Sequence, residues 1–283
     1  MNGYETITKS IIEQLEKGAA PWNKPWSSKM PTNLKSQKEY RGINVILLAS
    51  QGYASPYWLT YNQAASIGGN VRKGEHGSHI AFWKIGEYSK ENRETHELEN
   101  KTSVLLRTYT VFNLTQCEGI EGFDSNKPDN PIAECDALVS AMPMAPKIES
   151  SDKAWYRPAA DTVGIPPRTT FSNSEYYYST LFHELTHSTG HSSRIGREGI
   201  ETLNKFGSEL YSREELIAEL GAAMLCGVTG IDKATIDNSA AYLQSWINVL
   251  KGDSRMIVQA ASAAQKAADY IRGIKPIEVS DAK

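Results

Sequence analysis

The sequence predicts an α+β chain in two domains, a basic mixed α/β domain over residues 1–125 and a mostly helical domain over residues 126–283. Three observations lead there. Residues 1–90 hold eleven Lys and Arg against six Asp and Glu, a net of +5, so the rest of a chain with total charge −3 carries −8. Residues 118–131, EGIEGFDSNKPDNP, concentrate the Gly, Asp, Asn and Pro that mark a boundary. Strand-like alternating runs precede that stretch, and apolar residues at helical spacing dominate after it.

The elements follow in order. Ile7, Ile11, Ile12 and Leu15 predict an amphipathic helix over residues 4–17 that ends at Gly18. Prolines constrain APWNKPWSSKMPTN to an extended path carrying two tryptophans. YRGINVILLAS opens as a turn and continues as an apolar helix or a buried strand. Thr60 and Gln63 have capping-box spacing, and the helix they open ends at Gly68 and Gly69. SHIAFWKIGEY and SVLLRTYTVFNL read as strands, with KENRETHELENK between them as a solvated hairpin tip. Beyond the boundary a helix is expected near 131–141, and AWYRPAADTVGIPP reads as one strand stopped by its double proline. Further helices are expected over 174–189, 213–226, 238–251 and 254–272.

Composition narrows the class. With 40% hydrophobic and 22% charged residues and a mean hydropathy of −0.45, the chain reads as soluble with enough apolar material for a core. No apolar run approaches the ~20 residues of a membrane span, and the N-terminus lacks the apolar core of a signal peptide. Cys117, Cys135 and Cys226 are scattered, without a CxxC pair. The expectation is a cytoplasmic protein with reduced thiols and no membrane partner.

The strongest chemical signal is YYYSTLFHELTHSTGH. Residues four apart share one face of a helix, so His183 and His187 can reach one metal ion, and Glu184 between them is placed to act as a base on metal-bound water. Two imidazoles need a third protein ligand. Ser193 occupies the position where a longer version of this motif returns a histidine, and His191 comes two residues early, so His191 is expected to contact substrate or to end the helix. YSREELIAELGAAML offers Glu215 and Glu219 one turn apart. Ser212 and Glu215 have capping-box spacing, which would engage Glu215 locally. Glu219 is therefore the expected ligand, with Glu215 as its alternative. Two histidines and a glutamate suit Zn2+ best, although manganese or cobalt exchange into such sites. The chemistry implied is metal-assisted hydrolysis.

Residues 1–117 show no catalytic constellation. They interleave Trp22, Trp26, Tyr40, Trp58 and Tyr61 with Lys24, Lys35, Arg41, Arg72 and Lys73. Aromatic faces that stack on unpaired bases beside cations that follow the backbone are the means of single-stranded DNA binding. The alternative is that the tryptophans are core and the lysines a solvated face. Asn44 and Gln63, polar positions in the same runs, complete the candidate DNA contacts.

The runs PWNKPW, YRGINVILL, WLTYNQAASIGGNVRKGEHG and TYTVFNLTQCEGI resemble the N-terminal domain of ArdC-type antirestriction proteins, a domain related to one in plasmid primases. FHELTHSTGHSSRIGR and YSREELIAELGAAML are similar to the zincin-like domain of the same family. The resemblance implies a first domain that binds single-stranded DNA, a metallopeptidase-like second domain, and protection of incoming plasmid or phage DNA from host restriction. It also places Glu219 in the family's glutamate-bearing second helix. A protein substrate in the host restriction machinery follows from joining the two halves. Two other readings fit the same residues: a DNA-binding module whose zinc is structural, and a cytoplasmic metallopeptidase without a DNA role.

Overall fold

The computed structural model of the protein describes residues 2–23, 29–91, 98–123, 129–201, 208–231 and 240–275. Helix α1 (Gly3–Glu16) starts at a capping box, in which Asn2 accepts from the Glu5 amide and Glu5 accepts in return from the Asn2 amide. Ile7, Ile11 and Leu15 of the predicted stripe are buried, and Ile12 is half-buried. After β1 (Thr32–Asn33), the run INVILLA resolves as helix α2 (Ile43–Ala49). Gly42 enters that helix at φ 58°, a conformation that costs a glycine little. Strand β2 (Tyr57–Leu59) leads into α3 (Tyr61–Ser66), opened by the expected Thr60–Gln63 box.

Strands β3 (Asn70–Val71), β4 (Ser78–Glu91), β5 (Leu98–Asn113) and β6 (Cys117–Glu118) follow. The β4–β5 hairpin pairs antiparallel from Ser78 with Val111 out to Glu91 with Leu98, so both ends of the expected tip are strand, and residues 92–97 of it lie outside the described residues. One sheet runs β1-β2-β5-β4. The second part begins with α4 (Pro131–Ala141) and a sheet of order β7-β9-β8, made of β7 (Lys147–Ser150), β8 (Trp155–Arg157) and β9 (Thr162–Ile165). AWYRPAADTVGIPP is thus two antiparallel strands rather than one. Pro158 cannot donate to a ladder, and Asp161 turns the chain at φ 44°.

Helices α5 (Ser174–Ser188), α6 (Glu198–Glu201), α7 (Glu209–Thr229), α8 (Ala240–Gly252) and α9 (Met256–Ile271) complete the chain. Helix α7 starts earlier than expected, at the N-cap Ser208, which accepts from the Tyr211 amide. Ser212 therefore lies inside the helix, hydrogen-bonded to the Ser245 hydroxyl at 2.8 Å, and no capping box involves Glu215. No helix among the described residues is long and apolar enough to cross a membrane.

The largest apolar cluster runs through both parts of the chain, from Ile7, Ile11 and Ile46 to Leu216, Trp246 and Ile271. Trp22 is fully buried, its ring 5.3 Å from that of Trp246 in an edge-to-face pair. Polar bonds follow the same seam: the Thr8 hydroxyl donates to the Ser254 carbonyl (2.6 Å), and the Gly42 amide to the Gln265 side chain (3.0 Å). Trp22 is an anchor of this shared core, so Trp22→Ala should lower stability by about 3–5 kcal/mol in urea unfolding. A ring that served only to stack on DNA would leave the unfolding midpoint unchanged.

Candidate metal centre

Helix α5 is capped by Asn173, which accepts from the Tyr176 amide, and is buried almost continuously from Tyr178 to Ser188. That burial brings His183, Glu184 and His187 against α7 in the interior. The approach is close because α7 presents a glycine. A Cβ on Gly221 would stand 2.6 Å from the Thr186 methyl and 2.8 Å from its hydroxyl, so only hydrogen fits.

The two imidazoles face each other through Nε2 atoms 3.1 Å apart. Glu215 closes the triangle, its carboxylate oxygens 3.5 Å from His183 Nε2 and 3.6 Å from His187 Nε2. Ligands ~2.1 Å from one tetrahedral ion lie about 3.4 Å from each other. The three edges match that spacing, and among the described residues His183, His187 and Glu215 are the set whose donor atoms converge.

The opposite edges of the rings fix their tautomers. Glu219 Oε1 lies 3.4 Å from His183 Nδ1, and Glu214 Oε1 lies 3.2 Å from His187 Nδ1. Glu214 is a hydrogen-bond partner for His187 Nδ1, whereas His183 Nδ1 makes no hydrogen bond among the described residues. A carboxylate behind each ring favours a proton on Nδ1 and an Nε2 lone pair directed at the other ring. Two facing lone pairs repel unless a cation or proton lies between them, which is the condition a metal ion meets. Glu219 therefore stands behind a ring and not beside the Nε2 atoms. Part of the expectation that favoured it was a capping duty for Glu215, which the longer α7 removes.

Charge in this cluster is tightly coupled. Burial opposes a charged His183, but the carboxylates of Glu215 and Glu219 prevail and raise its pKa to about 10 in the metal-free protein. Burial raises the Glu184 pKa above the ordinary carboxylate range, with His183 and His187 opposing. Burial also works against ionised Glu215 and Glu214, yet the histidines hold both pKa values below the ordinary range, helped at Glu214 by Arg197.

Two arginines that the sequence reading passed over complete the centre. Arg197 grips Glu214 with Nε to Oε2 at 3.0 Å and Nη2 to Oε1 at 2.5 Å. It also donates to the Thr186 carbonyl at 2.8 Å, which closes the C-terminal end of α5. Arg194 donates to the Ser188 carbonyl at 2.7 Å and pairs with Asp161 at the β8–β9 turn. Both lie in HSSRIGR, but nothing in that spacing shows the loop folding back under the helix. His191 lies in the same loop, its Nδ1 2.8 Å from the Ser193 hydroxyl, away from the Nε2 triangle.

The expected DNA contacts separate into groups. Trp22 and Trp58 are core, the latter packed with Leu48, Ile80 and Val111. Asn44 is buried and bridges the backbone of Ala81, accepting at 2.7 Å and donating at 2.8 Å. Gln63 accepts from the Thr60 amide and from Asn33. Burial corrects Trp22, Trp58 and Asn44 as contact residues, because none offers a face to a base. Arg41 pairs with Asp269, and Arg72 with Glu75 at 2.7 Å. Tyr61, at 55% exposure, and Lys73 lie on the surface. Lys24 and Trp26 fall outside the described residues.

Gly221→Ala should force α5 and α7 apart, costing about 1–3 kcal/mol of stability. Manganese or zinc affinity should fall about tenfold or more, as when groups behind metal ligands are displaced. Adding Thr186→Ala should restore much of both, measured by thermal unfolding and metal titration.

Comparisons with known proteins match this architecture. A family model described as the N-terminal domain of anti-restriction factor ArdC matches residues 1–112, and one described as a zincin-like metallopeptidase matches residues 133–263. The metal-free crystal structure of the antirestriction ArdC protein from plasmid R388 superposes with a TM-score of 0.77 at 39% identity, covering 97% of this chain and 98% of that one. Its Mn(II)-bound structure gives 0.74 at 38% identity, with the same coverage. The DNA primase TraC of Escherichia coli is 35% identical over 98% of this chain, which spans only 28% of that protein's length. The uncharacterized protein y4eC of Sinorhizobium fredii is 32% identical over 95% of this chain and 91% of its own. The chain belongs to the ArdC antirestriction family.

Proposed function

We propose that this protein protects incoming DNA from restriction by binding it as a single strand and by hydrolysing peptide bonds at a divalent-metal centre. The observation that carries the hydrolytic half is the triangle of His183 Nε2, His187 Nε2 and the Glu215 carboxylate, with edges of 3.1, 3.5 and 3.6 Å. We assign these three residues as the metal ligands. Glu219 and Glu214 orient the two imidazoles from behind.

Zinc is the ion such a set suits, and the R388 relative is described in a Mn(II)-bound form, so either fits the donor atoms. Bound there, a divalent ion supplies a Lewis acid and a water of lowered pKa. Glu184 has a distinct task. It follows His183 directly in α5, is buried, and holds its proton more firmly than an exposed carboxylate. Such a carboxyl accepts a proton from water and returns it to a leaving amine within one cycle. Its substrate, in this proposal, is a protein of the host restriction machinery.

The DNA half rests on family membership and on the charge of residues 1–90, a net of +5. With the interior tryptophans assigned to the core, Tyr61, Lys73, Arg72, Arg41, Lys24 and Trp26 remain the proposed contacts of the first part. Peptidase and DNA functions are separable by experiment. Glu215→Ala should weaken manganese and zinc binding about 10- to 100-fold more than Glu219→Ala. Glu184→Gln should keep the metal and lose about a hundredfold or more in peptide hydrolysis. Full hydrolysis by Glu184→Gln would remove the catalytic role. Protection against restriction that survives that variant would reduce the centre to a structural one.

A second measurement concerns the DNA. Labelled single-stranded oligonucleotide should bind in preference to duplex, with an affinity that falls as salt rises. Tyr61→Ala with Lys73→Ala should weaken that binding several-fold. Equal affinity for duplex and single strand would overturn the single-strand reading.

A further inference from the structure

We infer that a cavity between the two parts of the chain takes the phosphodiester backbone of a single strand and tightens the metal centre through Arg197 and Glu214. This rests on the single-strand reading above and deepens it by naming a site and a regulatory consequence. The cavity, about 740 Å³, is lined in part by Glu214, whose carboxylate also meets His187 Nδ1. One wall comes from α9, where Arg255, Gln259, Ser262 and Lys266 recur at helical spacing on one face. Eleven residues of helix separate the two cations, about 16 Å. Arg213 of α7 adds a third cation. None of Arg213, Arg255 and Lys266 has a carboxylate partner among the described residues.

The opposite wall is aromatic and belongs to the first part. Trp83 is 37% exposed and donates from Nε1 to the Tyr4 hydroxyl at 3.3 Å. The Arg255 guanidinium sits 5.7 Å from the centre of the Tyr4 ring. Unpaired cations facing an accessible indole are the combination that holds a backbone and stacks a base. A run of acidic side chains could satisfy the cations but would leave the indole unused, so the nucleic acid is the better fit.

Coupling follows from what the cavity and the metal centre share. Arg197 and Glu214 line the cavity, and the same Glu214 oxygen that accepts from Arg197 Nη2 at 2.5 Å faces His187 Nδ1 at 3.2 Å. A phosphate in the cavity draws on the Arg197 charge and leaves Glu214 a stronger acceptor for His187. A more basic imidazole binds a divalent ion more tightly. Occupancy of the cavity thus raises metal affinity, and by linkage the metal raises affinity for the strand by the same factor.

The test uses the full chain, Mn(II) as the metal and a labelled twelve-nucleotide oligothymidylate as the strand. Saturating oligonucleotide should lower the Mn(II) dissociation constant about fivefold or more, and Mn(II) should lower that of the oligonucleotide equally. Arg255→Glu with Lys266→Glu, both at exposed positions, should weaken the oligonucleotide and abolish the coupling. Arg197→Lys should lose the coupling, its oligonucleotide affinity becoming the same with and without Mn(II), which a purely structural arginine would not do. Equal oligonucleotide affinity in the double charge reversal and the unmodified protein excludes the cavity while leaving the single-strand reading intact. An Mn(II) affinity that oligonucleotide leaves unchanged or weakens overturns the relay. No oligonucleotide binding at all ends both, and tighter binding of polyglutamate would reassign the cavity to an acidic protein.

Discussion

The constraint on which the centre depends is buried negative charge. Glu184, Glu214, Glu215 and Glu219 crowd around two imidazoles between α5 and α7, with Glu184, Glu214 and Glu219 each at most 8% exposed. Carboxylates removed from water must be paired or protonated. Arg197 answers one of them. The rest is answered by protons in the metal-free protein, as the raised pKa values of His183 and Glu184 show. A divalent ion at the Nε2 triangle supplies the same positive charge without the His183 proton. On the ligand set proposed above, binding of the ion would therefore displace a proton.

Compensation requires the two helices to lie closer than ordinary side chains allow. Gly221 against Thr186 sets the crossing, and Ala222 and Ala223 continue the small surface of α7 at full burial. Gly190 serves the loop beyond α5 in the same way, since a Cβ there would stand 2.5 Å from Ile200. That loop then returns Arg194 and Arg197 to the carbonyls at the end of α5, where cations are favoured by the helix dipole. Glycines and arginines thus place the acids and imidazoles of the candidate centre.

The helices that build the centre were legible because their apolar spacing and the His-Glu-x-x-His pattern are local signals. The choice between Glu215 and Glu219 was not. It turned on where α7 begins, and four extra residues at its start, capped by Ser208, convert Ser212 from a cap into an interior contact with Ser245. Trp22 failed as a DNA contact for a different reason. Trp22 sits among lysines and prolines, which reads as surface, and what buries it is Trp246 far along the chain. Local composition reports solvent preference only on average, whereas burial is decided by long-range partners that leave no mark nearby. Arg197 and Glu214 were missed on the same ground, because their pairing exists only after the loop closes under α5.

The boundary at residues 118–131 marks a change in sequence character but not a division of the core. Apolar residues of α1 and α2 pack with those of α7, α8 and α9 in one cluster, and Trp22 meets Trp246 across the seam. The two parts share this largest cluster, so the pair has reason to travel together. The TraC primases fit that view: this chain matches 28% of one and 20% of the other, yet in both the match covers 98% of the chain and includes both parts. The shared core also brings a surface of the first part close to the candidate metal centre of the second. Tyr4 of α1 and Trp83 of β4 line one cavity with residues of α7 and α9, and α7 carries Glu214, Glu215 and Glu219, which face the imidazoles from across the helix crossing.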